Sequence, residues 1–187
     1  MTTRDIVHIA LFAALTAMLG IFPPLTIPVL AVPITAQSLG PMLAGGVLGA
    51  KRGTLSTLLF LVLVAVGLPL LSGGRGGIGV FAGPTAGFLV GWAFTALTVG
   101  FLTERFWSRL TFVLAFLFSV VGGILVLYLI GLNWVAMVAD IPLGRAFLAS
   151  AAFIPGDVIK AGIAAAVIVT VRRAYPMIQP AAALGRR

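Results

Sequence analysis

Apolar residues occur along most of the chain in long runs, separated by short polar, proline-rich or glycine-rich stretches. A helix needs about 20 residues to cross the ~30 Å hydrocarbon layer of a bilayer, and fewer where it is short or distorted. By that standard the pattern predicts six membrane-spanning helices, of which the second is short and glycine-rich. Their approximate ranges are 7–22, 37–50, 54–71, 84–102, 110–132 and 152–171. We therefore expect an all-α integral membrane protein, with residues 1–187 forming a single transmembrane domain built as a compact six-helix bundle.

Composition supports a lipid environment. Hydrophobic residues make up 61% of the chain and charged residues only 9%, whereas a soluble domain has about 25% charged residues. The net charge of +8 could indicate nucleic acid as a partner. The basic residues lie at the ends of apolar runs, however, and do not form a stripe interleaved with aromatic residues, so nucleic acid is not expected.

The distribution of basic residues predicts the orientation, because cytoplasmic loops of membrane proteins are enriched in Lys and Arg. With both termini in the cytoplasm, two basic residues, Arg75 and Arg145, lie outside, and nine lie inside. The inside set is Arg4, Lys51, Arg52, Arg105, Arg109, Arg172, Arg173, Arg186 and Arg187. We therefore expect an N-in, C-in, multi-pass membrane protein.

The predicted outer loops are unusual in composition. "FPPLTIPVLAVPIT", between the first two spans, has four prolines and is expected to be extended rather than helical. "SGGRGGIGVFAGPTAG", between spans three and four, is rich in glycine, which permits positive φ angles and close approach of the backbone to another group.

Two opposite charges interrupt the last apolar run, in the stretch "FIPGDVIKAGI". Asp157 and Lys160 are three residues apart, so a helix places them on one face. An ionisable group in the middle of a membrane helix costs roughly 2.5–3.5 kcal/mol, and such residues are usually functional. The pair is therefore a candidate binding site. The alternative is a self-neutralising structural pair that joins this helix to a neighbour.

Arg75 and Gln37 are the other candidate ligand contacts. Arg75 is flanked by glycines, and its planar guanidinium suits a carboxylate, although an exposed loop arginine is the simpler interpretation. Gln37 lies at the outer end of the second span, where its amide could equally contact water. Together with Asp157 and Lys160, these residues predict an outward-facing pocket for a small anion whose polar head has both donors and acceptors.

Catalysis is not expected. The chain has one histidine, four acidic residues and no cysteine, and no nucleophile lies beside a base. General acid–base work requires a positioned proton donor or acceptor, and the sequence offers no carboxylate pair for that role or for a metal. We therefore predict no enzyme activity, no catalytic residue, no metal and no cofactor.

Three stretches resemble a known family: "PITAQSLGPMLAG", "GLPLLSGGRGGIGVFAGPTAGFLVGW" and "FIPGDVIK". In this order and spacing they resemble BioY, the biotin-binding S component of the energy-coupling-factor (ECF) vitamin transporters, and the resemblance covers nearly the whole chain. The departures are small. Ala86 and Phe88 stand where the family more often has glycine and tyrosine.

The resemblance implies the S-component fold and high-affinity capture of biotin for uptake. Asp157 would then accept from a ureido N–H of biotin, Lys160 would donate to the ureido carbonyl, and Arg75 would hold the carboxylate. An alternative is that Lys160 contacts the carboxylate instead.

The resemblance also implies a transmembrane coupling subunit (EcfT-type) and two ABC-type ATPases as partners. The first helix has small residues four positions apart, which permit close helix approach in lipid. The predicted docking residues are Ala10, Ala13, Ala14 and Ala17. The alternative is that they form a packing face inside the bundle.

Three other functions stay open on the sequence alone. The chain could capture another anionic vitamin, act as a solitary facilitator, or be a structural membrane subunit without a ligand.

Overall fold

The computed structural model describes residues 1–27 and 32–178, and most of these residues are helical. Helices lie in each of the six ranges that the apolar runs indicate. The α-helices of the described chain are α1 (Thr3–Met18), α2 (Leu39–Leu48), α3 (Ala50–Ala65), α4 (Ala86–Arg105), α5 (Phe112–Val120), α6 (Leu127–Val138), α7 (Leu143–Ser150) and α8 (Ile154–Ala174).

Four helical segments of the described chain are long and apolar enough to cross a membrane. They are Thr3–Ile21, Ala86–Arg105, Phe112–Val138 and Leu143–Ala174. Helices α2 and α3 are shorter, with 10 and 16 residues. The predicted membrane-spanning helical class is therefore confirmed, whereas a count of six spans stays a prediction.

Helix α2 lies at the centre of the bundle. All ten of its residues are buried, and it packs against α1, α3, α4 and α8. A helix that is apolar on every side is typical of a protein core or of a membrane span, and here neighbouring helices surround it. Small residues permit this contact: a Cβ atom at Gly45 would collide with the backbone of Ala96 in α4.

Gly49 separates α2 from α3 without a loop. Its φ of +89° lies in the left-handed region, which only glycine adopts readily, so the chain changes direction within one residue. Glu104 then caps the new helix, because its Oε1 accepts a hydrogen bond of 2.9 Å from the N–H of Ala50. The break places both short helices against α4.

The proline-rich segment after α1 forms an antiparallel hairpin of β1 (Leu25–Ile27) and β2 (Val32–Ile34), in which Leu25 pairs with Ile34. The prediction of extended rather than helical chain is confirmed for these residues. Residues 28–31 lie outside the described residues, as do Arg186 and Arg187 of the predicted inside set.

The helix from Phe112 to Val138 contains a π-helical turn, Val121–Val126, between α5 and α6. Thr95 of α4 contacts this turn, since its Oγ1 donates to the Gly122 carbonyl at 2.9 Å. Wider turns of this kind often occur at functional sites. Here the turn ends directly before Leu127 and Tyr128.

Candidate functional site

A partly open cavity of about 580 Å³, including the solvent space at its mouth, lies between the segment that precedes α2, the loop that bears Arg75, and helices α4, α6 and α8. Small-molecule sites typically combine apolar walls with a few polar groups, and this cavity has that character. Its apolar lining residues are Ile34, Leu71, Phe88, Leu89, Trp92, Leu127 and Phe153. Its polar lining residues are Thr35, Gln37, Ser38, Arg75, Thr85, Tyr128, Asp157 and Lys160. All four ligand contacts predicted from the sequence therefore line one cavity.

The charged pair forms the polar wall of the cavity. Lys160 Nζ lies 2.7 Å from Asp157 Oδ1, and it also donates to Ser38 Oγ at 2.9 Å. The Asp157 and Lys160 side chains are only 7% and 14% exposed. Pro155 lies in the first turn of α8, where its missing N–H costs no helical hydrogen bond, so the helix can begin just above the pair.

Tyr128 completes this network and was not predicted from the sequence. Its hydroxyl donates to Asp157 Oδ2 at 2.6 Å, and both residues are 5% exposed. Each carboxylate oxygen of Asp157 thus has one protein donor, and each still has a second acceptor position. A signal was present, because a tyrosine hydroxyl in an apolar helix requires a partner, but its partner is 29 residues away.

Arg75 reaches the cavity from the glycine-rich loop. The chain turns sharply between Leu71 and Arg75, with reciprocal backbone hydrogen bonds of 3.0 and 3.2 Å, and positive φ angles at Gly73 and Gly74 permit the turn. Arg75 Nε donates to the Ser72 carbonyl at 3.3 Å. No group among the described residues accepts a hydrogen bond from its Nη atoms, so these donors remain for a ligand.

Gln37 lines the cavity but is engaged by the protein itself. Its Nε2 donates to the carbonyls of Thr16 and Leu70, and its Oε1 accepts from the N–H and hydroxyl of Ser72. An amide has two donors and two acceptor positions, and all four are used. The geometry therefore gives Gln37 no spare hydrogen bond for a ligand, unlike Asp157 and Arg75.

Comparison with known proteins identifies relatives of this chain. The model of the BioY family matches residues 1–177. A protein of Rhizobium etli named "Biotin transporter BioY" is 52% identical over 183 residues, which are 95% of this chain and 98% of the relative. This chain belongs to the BioY family.

Two further relatives agree. A "Probable biotin transporter BioY" of Bacillus subtilis is 44% identical over 92% of this chain and 92% of its own length. A crystal structure described as the S-component for biotin from an ECF-type ABC transporter superposes with a TM-score of 0.88 and 32% identity. The match covers 92% of this chain and 95% of that chain. The resemblance to the BioY family is therefore confirmed.

One departure from the expected BioY sequence lies at the cavity. Phe88 lines it, and its ring meets the Tyr128 ring edge to face, with centroids 6.2 Å apart and planes at 82°. Aromatic pairs favour this arrangement. Ala86, the other departure, is buried and does not line the cavity.

The four alanines of α1 do not share one environment, and none of them lines the cavity. Ala10 and Ala14 are exposed, Ala17 packs partly against the core, and Ala13 is 3% exposed within the core cluster that includes Phe60 and Val64. In this conformation Ala13 is an internal packing residue, because a partner cannot reach a buried methyl group. Ala10 and Ala14 are the most accessible of the four to a docking partner, and Ala17 is half-buried.

Proposed function

We propose that this chain binds biotin and serves as the substrate-binding subunit of an ECF-type transporter that takes up biotin across the bacterial cytoplasmic membrane. Two relatives are named biotin transporters, and a structural neighbour is an S-component for biotin. The observation that carries the proposal is the shared cavity of Asp157, Lys160 and Arg75. It puts a charge pair in one apolar site with a guanidinium whose Nη atoms have no acceptor among the described residues.

The polar groups match the two ends of biotin. Its ureido ring has two N–H donors and one carbonyl acceptor, and its valerate chain ends in a carboxylate. Asp157 keeps acceptor positions for the N–H groups, and Lys160, with its third ammonium hydrogen, donates to the carbonyl. Arg75 binds the carboxylate through its Nη atoms, since a guanidinium pairs bidentately with that group. The aromatic residues Phe88 and Trp92 contact the apolar middle of the ligand.

Equilibrium binding to the purified chain tests this function. Biotin should bind the wild-type protein without any partner subunit, and biotin amide, which has no carboxylate, should bind more weakly. A protein that binds neither ligand would support a structural subunit, and one that prefers a different anionic vitamin would change the substrate.

We further propose that six spans place both termini in the cytoplasm. In support, Arg52 contacts both ends of the chain: its Nη1 lies 3.1 Å from Asp5 Oδ1, and its Nη2 donates to the Met177 carbonyl at 2.6 Å. The chain has no native cysteine, so single cysteines are specific labels. Exposed Ile78→Cys should react from outside and exposed Ser108→Cys from inside, and labelling of both from one side would exclude this topology.

The transmembrane coupling subunit and its two ATPases are the proposed partners, with Ala10 and Ala14 as contacts. Replacing both by tryptophan should abolish co-purification of the coupling subunit while biotin binding persists, because bulk prevents close helix approach in lipid. A matched control is Val113→Trp with Leu117→Trp, two exposed α5 residues with the same spacing. Equal loss of the partner in both double variants would remove α1 as the docking helix.

A further inference from the structure

Gln37 lies where three parts of the chain meet. It is 1% exposed, and its amide joins α1, through the Thr16 carbonyl at 3.1 Å, to the end of the loop that follows α3, through the Leu70 carbonyl at 2.8 Å. Its Oε1 accepts from the Ser72 N–H at 2.8 Å and from the Ser72 hydroxyl at 3.2 Å. One of these bonds therefore holds Leu70, just before the Leu71–Arg75 turn, and two hold Ser72 within it.

The turn itself has few other contacts at its tip. Among the residues that the structure describes, a Cβ atom at Gly74 would meet nothing within 4 Å, and one at Gly73 would meet only Pro24 Cγ, at 3.9 Å. The turn is consequently held near its base, by the Ser72 bonds to Gln37 on one side and on the other by the Gly77 N–H, which donates to the Val64 carbonyl of α3 at 2.8 Å. Ser72 also holds the arginine directly, since its carbonyl accepts from Arg75 Nε. Ser72 therefore connects the two side chains: it donates to the Gln37 amide oxygen and accepts from the Arg75 guanidinium.

We propose that Gln37 is a positioning residue for the carboxylate end of the ligand: it fixes the base of the Leu71–Arg75 turn and so presents the Arg75 guanidinium to the cavity. This inference rests on the proposed function, in which Arg75 binds the biotin carboxylate. Gln37 acts through Ser72 and does not touch the ligand, because its four hydrogen-bonding positions are occupied by the protein.

Gly20 gives an independent way to disturb the same junction. An added Cβ at Gly20 would lie 2.6 Å from the Leu70 carbonyl oxygen and 2.7 Å from Gln37 Nε2, closer than real Cβ contacts. The carbonyl belongs to the backbone and cannot rotate away. Gly20→Ala should therefore displace the amide and the turn, although residue 20 lies outside the cavity lining.

The test compares the dissociation constants of biotin and biotin amide, measured on purified full-length protein. Gln37→Met keeps the length of the side chain and removes its hydrogen bonds. We expect biotin to bind about tenfold more weakly, the scale of one hydrogen bond to a charged group, while the affinity for biotin amide barely changes. Gly20→Ala should shift the ratio of the two constants in the same direction. In both variants the ratio approaches that of Arg75→Ala.

Ser56→Ala is the matched control, because it removes another buried hydrogen bond to α1, from Ser56 Oγ to the Ile9 carbonyl at 2.9 Å, far from the turn in sequence. Its ratio should stay at the wild-type value. If Gln37→Met weakens the affinity for both ligands by the same factor, or changes neither affinity, the inference is overturned. Partial loss of folding would affect both affinities alike. Should Gln37→Met fail to purify, Gly20→Ala decides by the same criterion.

The proposed ligand orientation and the positioning role of Gln37 can be rejected separately. If wild-type protein and Arg75→Ala show the same ratio, Arg75 does not read the carboxylate and the proposed ligand orientation is wrong. Arg75→Ala could lose the preference for biotin over biotin amide while Gln37→Met and Gly20→Ala keep it. In that case the orientation holds and only the positioning role of Gln37 is rejected.

Discussion

Two ion pairs of the described chain show how different the same chemistry can be in two places. Asp5 pairs with Arg52 at 3.1 Å, and the two side chains are 24% and 23% exposed. Asp157 pairs with Lys160 at 2.7 Å, and their side chains are 7% and 14% exposed. Arg52 is otherwise occupied by the carbonyls of Leu48 and Met177, so the first pair joins chain segments. The first pair also lines a more polar cleft, together with His8 and Tyr175, whereas the second pair faces the largely apolar cavity.

The candidate ligand-binding pair, Asp157 and Lys160, differs from the first pair in its deeper burial. Removing two charges from water often costs more free energy than their mutual attraction returns. Replacing a buried ion pair by apolar residues is therefore frequently neutral or stabilising. Stability alone is therefore a weak reason for Asp157 and Lys160. The remaining acceptor positions of Asp157 and the remaining hydrogen of Lys160 face an apolar cavity, which is where a small-molecule site has its few polar groups.

The largest effect should come from breaking the buried pair. Asp157→Asn or Lys160→Met leaves one charge without its partner, and we expect the free energy of biotin binding to weaken by about 2–5 kcal/mol. Biotin amide should lose a similar amount, because both ligands have the ureido ring. Titration calorimetry on the purified variants measures this. Normal biotin affinity in Asp157→Asn would make the buried pair as structural as the exposed one.

Arg75→Ala should have the next largest effect and should separate the two ligands. Loss of a hydrogen-bonded carboxylate partner is expected to cost biotin about 1.5–3 kcal/mol, with little change for the amide. Arg145→Ala, which removes an exposed arginine remote from the cavity lining, is the control for net charge. If Lys160→Met rather than Arg75→Ala abolishes the preference for the acid, the ligand lies in the opposite orientation.

Tyr128→Phe sharpens the comparison, because it removes one donor from Asp157 and leaves the ion pair intact. A hydrogen bond to a charged group is worth about 1.5 kcal/mol or more, so biotin and biotin amide should both bind roughly tenfold more weakly. Tyr175→Phe, at the far end of α8, is the matched control. Unchanged affinity in Tyr128→Phe would show that Asp157 needs no help in facing the ligand.

The smallest effect should come from the exposed pair. Asp5→Asn is expected to lower the free energy of unfolding only slightly, because ion pairs that water can reach contribute little. Biotin affinity should not change. Thermal unfolding in detergent, followed with and without biotin, measures both quantities, and a large loss of affinity would remove the functional distinction between the two pairs.

The sequence predicted the parts of this site whose cost in lipid is highest. Asp157 and Lys160 stood out because charges are rare in apolar helices, and Arg75 because it lies among glycines. Tyr128 and Ser38 were missed, since their bonds cross 29 and 122 residues and depend on how α2, α6 and α8 pack. Local composition has no information on such distant contacts.

Helical phase explains two further differences. The spacing of alanines in α1 predicted close approach of another helix, but spacing alone does not say which side of the helix faces the core, and Ala13 faces inward. Gln37 was correctly placed at the cavity, but its saturated amide could be seen only once Thr16, Leu70 and Ser72 were in position around it. The positions of the helices followed from apolar periodicity, whereas their mutual contacts did not.

A structure of the purified chain with biotin bound tests the central claim most directly. We predict that the ureido ring lies within hydrogen-bonding distance of Asp157 and Lys160 and that the carboxylate lies beside the Arg75 Nη atoms. The Gln37 amide should still be hydrogen-bonded to Ser72. Biotin in the reverse orientation, or outside this cavity, would contradict it.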